Sequence, residues 1–331
     1  MTHRRHRSFV VCALSAVTGL VLLTPASASG QNRDAPTGWT LPRTGDGRAD
    51  LQGVWDFRSL TPLQRPSELA NKELFTDEEA AQFQLETVAQ LDKDQAGPDG
   101  RIPLSGGYNE FWYDYGKQLT AGRRTSLIVD PPDGRIPSLT ADARKRADAR
   151  RTGLGRGAWG PEDRNTNERC ITGFNAGPPM NPSAYNNNMQ LFQTADYVVI
   201  LNEMVHDARV IPLDERSHLP THVRQWHGDS RGHWDGDTLV VDTRNYTDKT
   251  NFRGSGKDAH LVERFTRVGP NALLYEYTIE DPASFGSHWS AAIPMRKNDA
   301  PLYEYACHEG NYGMHNLLIS ARSVEAAGEL P

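Results

Sequence analysis

The residues best equipped for chemistry fall in one stretch, 202–244 (NEMVHDARVIPLDERSHLPTHVRQWHGDSRGHWDGDTLVVDTR). It holds five of the eleven histidines, together with acids, arginines and two tryptophans. An ordinary strand pair does not need so many ionisable groups. Within it, Glu203-Met204-Val205-His206-Asp207-Ala208-Arg209 places carboxylate, imidazole and guanidinium side by side. His206 and Asp207 are equipped to move protons, and Arg209 to hold an anionic group. Alternate residues of a strand share a face, so Glu203, Asp207 and Arg209 fall on one side and His206 on the other, unless a turn intervenes at 204–207. The plainer reading of the same residues is a hairpin with an Asp–Arg surface pair.

A second cluster, His227-Gly228-Asp229-Ser230-Arg231-Gly232-His233-Trp234-Asp235, sets glycines on both sides of Asp-Ser-Arg, which lets backbone approach a ligand closely. Here His233 is an acid–base candidate. Trp226, Asp229, Arg231 and Trp234 are candidate substrate contacts. His227 and His233 could ligate a divalent metal with Asp229 or Asp235. No His-x-His or His-Glu-x-x-His spacing supports this, so no cofactor is expected and a divalent metal stays the weaker alternative. Ser230 is in no Gly-x-Ser-x-Gly elbow. A third cluster, Tyr303–Tyr312, offers His308 and Glu309 for acid–base work and Tyr305 for contact. Asn187 reads as a turn residue or as an amide in a polar pocket. The aromatic stretch 105–118 reads as packing or as a pocket wall.

The elements that must position these groups are mostly strands. Asp50–Phe57 opens as a strand carrying Gly53-Val54-Trp55, the Gly-x-Trp with which lipocalin-like barrels begin. Thr76 with Glu79 forms a capping box for a helix reaching about Asp92, and Thr140 caps a basic helix over 139–151. From Asn187 onward, short strands follow at regular spacing: 189–193, 197–203, 207–213, 222–226, 232–234, 238–243, 261–268, 272–280, 287–294 and 302–307. Asp235-Gly236 marks a tight hairpin. Residues 314–327 have helical spacing. The expected architecture is a mainly β, antiparallel up-and-down, lipocalin-like barrel or closed sheet, with helical insertions and a C-terminal helix. It forms a single domain over 50–327 with helical excursions at about 60–165, after an extended lead-in at 31–49.

Residues 1–30 have the form of a signal peptide. Arg4, Arg5 and Arg7 precede the apolar run Phe9–Leu23, and cleavage is expected near Ala28 or Gly30. No later stretch approaches the length of a membrane span. The expected location is therefore periplasmic or secreted. Leu41-Pro42-Arg43-Thr44-Gly45 spells a sortase pattern, but at the wrong end of the chain. The formal charge of −6 argues against a nucleic-acid partner, which needs a basic face. Cys170 and Cys307 remain after processing, and two cysteines in an oxidising compartment commonly pair. Two buried thiols are the alternative.

Several motifs resemble those of a family of secreted bacterial proteins. They are Glu168-Arg169-Cys170, Tyr185-Asn186-Asn187-Asn188, 203–209, 228–234, Gly236–Thr243, Leu261–Phe265 and Tyr303–Glu309, with Gln52–Trp55. The resemblance covers most of 168–313. It implies export and brings no activity with it. The leading functional expectation is an exported enzyme acting on a small organic molecule by general acid–base chemistry, of isomerase, lyase or hydrolase type. His206, Asp207, His233, His308 and Glu309 would carry it. The alternatives are a non-catalytic carrier or sensor of a small molecule, and an envelope interaction protein using an exposed edge.

Overall fold

The computed structural model describes residues 38–95, 109–154, 158–250 and 252–328. The leader read at 1–30, residues 31–37 of the lead-in and the start of the 105–118 stretch lie outside them. In chain order the strands and helices are β1 (Gly53–Asp56), α1 (Asp77–Leu91), β2 (Ile128–Asp130), α2 (Ala141–Leu154), β3 (Asn188–Gln193), β4 (Tyr197–Asn202), β5 (Ala208–Pro212), β6 (Asp229–Asp235), β7 (Thr238–Arg244), β8 (His260–Gly269), β9 (Ala272–Glu280), β10 (Trp289–Asn298) and α3 (Tyr312–Ala326). Helix α1 starts where its capping box predicts: Thr76 Oγ1 accepts from the Glu79 amide, and Glu79 accepts from the Thr76 amide at 2.8 Å. Its Phe83 packs on Phe75 with ring centroids 5.0 Å apart, beside Leu60 and Leu119 in a small satellite core.

All strand pairs are antiparallel, and the sheet runs β5-β4-β3-β1-β10-β9-β8-β7-β6, with β2 pairing onto β10 off this path. The strands alternate as period-two burial requires. Leu261, Glu263 and Phe265 of β8 point inward, as do Leu273, Tyr275, Tyr277 and Ile279 of β9. Their apolar members join Trp55, Met189, Ile200, Leu239, Val241 and Trp289 in one continuous core. Trp55 is fully buried and donates its indole N–H to the Leu51 carbonyl at 2.9 Å.

The expectation of a lipocalin-like barrel or closed sheet is corrected here: the sheet is open. Its two ends, β5 and β6, share no hydrogen-bond ladder. Two segments read as strands are not strands. At 222–226 the backbone is committed elsewhere, with the Gln225 amide on the Asn245 carbonyl and Arg224 holding the carbonyls of Tyr246 and Lys257. At 302–307 the preceding strand offers no free side, because β10 already lies between β9 and β1. Side chains fill the seam instead. Gly232 sits where Ile211 and Leu213 press in; a Cβ there would lie 2.7 Å from Leu213 Cδ2. The hairpin turn falls one residue later than read, at Gly236-Asp237, with Gly236 at φ 60°.

Cys170 and Cys307 form a disulfide with Cα atoms 5.8 Å apart, joining residues 137 positions apart. Asn311, just beyond, caps α3 and donates to the Glu168 carbonyl at 2.7 Å. The 303–312 segment is thus tethered beside 166–173 rather than delivered by a strand. Among the described residues no helix is long and apolar enough to cross a membrane.

Candidate functional site

The turn foreseen at 204–207 exists. Met204–His206 is a single 3-10 turn with Val205 at φ 64° and His206 at φ 57°. Positive φ is unfavourable for a β-branched residue, and such outliers concentrate at functional positions. The turn sends His206 to the exposed surface and aims Asp207 across the seam. Asp207 Oδ2 lies 2.9 Å from His227 Nδ1. A carboxylate only accepts, so Nδ1 carries the proton in this pair. His227 Nε2 is buried and has no hydrogen-bond partner among the described residues.

His227 and its neighbour Trp226 stand between two hollows. One is a cleft of about 790 Å³ between the 162–183 segment and 248–253; the other, about 550 Å³, opens along the seam beside Ala208 and Arg209. The larger cleft has apolar walls in Phe174, Pro179, Trp226 and Phe252. Asn181 lines the same cleft. Its Oδ1 accepts from Tyr277 Oη at 3.0 Å, while its Nδ2 is buried and has no partner among the described residues. Arg253 and Lys249 bring positive charge to the cleft, and Gly173 packs its floor against Met204 of the turn.

Behind the seam lies a buried ion pair. Arg209, with its side chain 9 % exposed, binds Glu263, which is fully buried, through two contacts of 2.5 and 2.9 Å. Tyr275 donates to Glu263 Oε1 at 2.8 Å and accepts from the Met180 amide. Burial opposes the guanidinium charge, but Glu263 outweighs it and raises Arg209 above its ordinary value. Burial first, and then the Glu263 charge, push the Tyr275 and Tyr246 phenols upward, so both stay protonated donors. Arg209, read as an anion-binding group, is thus already occupied by a carboxylate of its own chain.

On the outer face, four neighbouring strands carry a chain of acids and imidazoles. Asp229 of β6 meets His218 Nδ1 at 3.0 Å, and His218 Nε2 meets Asp242 of β7 at 2.8 Å. The other Asp242 oxygen lies 2.5 Å from His260 Nε2 of β8, whose Nδ1 lies 3.1 Å from Glu280 of β9. Arg244 also donates to Asp242 and fills the centre of the group. Among the described residues no three His, Cys, Asp or Glu side chains stand so as to hold a metal ion.

Other candidates from the sequence fall in different places. His233, His308 and Glu309 are exposed, and among the described residues none is hydrogen-bonded to His206 or to another of the three. Tyr305 is half-buried, and Trp234 packs on the core. Asp229 and Arg231 pair with each other, and Arg231 also donates to the Ser217 carbonyl. Asn187 is buried as a bracket: its amide donates to the carbonyls of Asp114 and Ser183 and accepts from the Ser183 amide. Sequence reasoning missed Asn181, His218, Asp242, His260 and Glu263, and weighed His227 only as a metal ligand. The inward–outward alternation of β7 and β8 is the signal that could have placed Asp242 with His260 and isolated Glu263 as a buried acid.

No family model matches this chain, and no curated protein matches it. Among solved structures it is similar to the crystal structure of a single-residue mutant of the fluorescent protein UnaG. The match is 13% identical, covers 34% of this chain and 72% of that chain, and has a TM-score of 0.22, too low to carry a fold or a function. The motif resemblance to a secreted bacterial family therefore has no family model behind it, and its lipocalin-like element is overturned by the open sheet.

Proposed function

We propose that this protein is an exported binder of a small organic molecule, held in the cleft of about 790 Å³ against Trp226 and His227. The observation that carries this is the cleft itself, whose volume lies in the range of small-ligand sites and whose lining sets Phe174, Trp226 and Phe252 among many polar and charged side chains. Two of the polar groups, His227 Nε2 and Asn181 Nδ2, are buried without a hydrogen-bond partner among the described residues. Each such atom costs about 1–3 kcal/mol when left unpaired, so native chains rarely leave two in one wall without use. The Cys170–Cys307 disulfide agrees with an oxidising compartment, and N-terminal sequencing of the mature protein tests export directly. The ligand reading is tested by denaturing protein purified from its exporting host and identifying the released compounds by mass spectrometry. A stoichiometric organic compound is expected. Release of none from repeated preparations contradicts the reading.

A second reading is favoured by one pair, Asp207 and His227. A carboxylate on Nδ1 fixes the tautomer that leaves Nε2 as a base, the arrangement general acid–base catalysis uses. On this reading the compound turns over, by proton transfer of isomerase, lyase or hydrolase type. His227→Gln then lowers kcat by about 10²–10⁴ with little change in binding. Unchanged turnover in that variant removes this reading and leaves the carrier.

A further inference from the structure

Asp229, His218, Asp242, His260 and Glu280 alternate as acid, imidazole, acid, imidazole and acid across β6 to β9. Four of them are rooted in strands. The fifth, His218, belongs to the crossover 213–228 that joins β5 to β6 and ends on Trp226 and His227, the wall of the cleft. We propose that this chain is a pH-sensitive clasp, which holds the crossover on the sheet while both imidazoles are doubly protonated and releases it when either loses a proton.

An ionised carboxylate only accepts. Both nitrogens of His218 and both of His260 face carboxylates, so the full set of contacts exists only when each ring carries two N–H groups. A neutral ring turns one nitrogen lone pair toward a carboxylate, and an attraction becomes a repulsion. Arg244 also donates to Asp242 and lies 3.3 Å from His260 Nε2, so on the sheet side it shares the hold on Asp242 with His260. The charged groups around His218 are Asp229 and Arg231 of β6, Asp242 and Arg244 of β7, His260 of β8 and Glu280 of β9.

Other ties hold the crossover too. The Leu219 amide donates to Asp229, Asn245 donates to the Leu219 carbonyl, Arg224 pairs with Asp258, and His227 pairs with Asp207. Loss of the His218 contacts therefore loosens the crossover without unfolding the sheet.

The direction of the pH effect follows from two groups. The Asp242 hydrogen bond raises His260 above the ordinary histidine value despite burial. Burial alone would raise Asp242, but hydrogen bonds from His260 and Arg244 prevail and hold it well below the carboxylate range. The His260 contribution is complete below about pH 6.5 and is lost as pH climbs through its raised value; that of Asp242 is complete above about pH 4 and is lost in acid. The Asp242–His260–Glu280 part of the chain is complete between those limits and weakens as pH rises. The clasp stands on this geometry alone; only its effect on ligand affinity rests on reading the cleft as a ligand site.

Hydrogen–deuterium exchange on the ligand-free mature protein tests it, at about pH 6 and pH 8.5, after correction for intrinsic exchange. Protection of peptides covering 213–228 is expected to fall about fivefold or more between the two, while β9 stays unchanged. In His218→Gln the same peptides are expected to be open at both pH values. Unchanged protection in the wild type overturns the clasp. So does an equal pH-dependent fall in His218→Gln, which would place the effect outside this chain of contacts. A nitrogen NMR measurement on wild-type histidine rings needs no variant: rings with both nitrogens protonated are expected at His218 and His260 wherever the 213–228 peptides are protected, and a single-tautomer neutral ring at either position in protected protein overturns the proposal. A working clasp in a protein that never yields a ligand would remove the ligand reading and leave the clasp standing.

Discussion

At the scale of residues, the decisive group is Glu263, buried without exposure and held by Arg209 and Tyr275. Removing one partner of a buried pair strands the other charge in a medium that solvates it poorly. Glu263→Ala is expected to cost about 3–5 kcal/mol in urea unfolding, whereas replacing both members with Met and Leu is expected to be near neutral or stabilising. A loss below about 1 kcal/mol in the single variant would show that the pair is not sealed from water. Asp207 was legible in the sequence as a site residue, but its partner was not. The partner depends on the backbone reversal at Val205 and His206, and positive φ at those residue types leaves no trace in composition or spacing. His218 was illegible for another reason: it meets Asp242 only because the irregular 213–228 crossover folds back over β7, whereas His260 sits on the neighbouring strand β8.

At the scale of elements, local signals served where local physics decides. The Thr76 capping box, the 197–202 and 272–280 strands and the C-terminal helix all follow from patterns within a few residues. Thr76→Ala is expected to lower stability by about 1 kcal/mol, read from the thermal midpoint. What failed was closure. Whether a sheet closes depends on edges meeting in register, and the alternation at 222–226 and 302–307 says nothing about which edge is vacant. The tether from Cys170 to Cys307 does by covalent bond what the missing strand would have done by pairing. Replacing both cysteines with serine is expected to cost about 4–5 kcal/mol on the chain-entropy account, less whatever strain is relieved. Equal stability of oxidised and reduced wild-type protein would contradict that.

At the scale of the whole molecule, the structure is an open sheet with a polar seam. Asp207, before β5, meets His227, before β6, where the two edges face each other, Arg209 of β5 reaches across to Glu263 of the interior strand β8, and the cleft opens beside that seam. Net stability is expected to be greatest in mildly acidic solution and to decline above neutrality, as His260 loses the contacts that raise it. His260→Gln is expected to flatten that decline in pH-dependent melting curves; an unaltered slope would assign it elsewhere. The central claim is that the cleft, and no other hollow, holds the ligand. A third hollow of about 460 Å³, beside Arg58, Asp114 and Arg296, provides the control. The direct measurement is native mass spectrometry of wild-type, Phe174→Ala and Arg296→Ala proteins from the same exporting host, because Phe174 lines the cleft and not the hollow beside Ala208 and Arg209. An added non-covalent mass is predicted on the wild type and on Arg296→Ala that is absent from Phe174→Ala. Equal added mass on all three, or a bare polypeptide mass throughout, would contradict it.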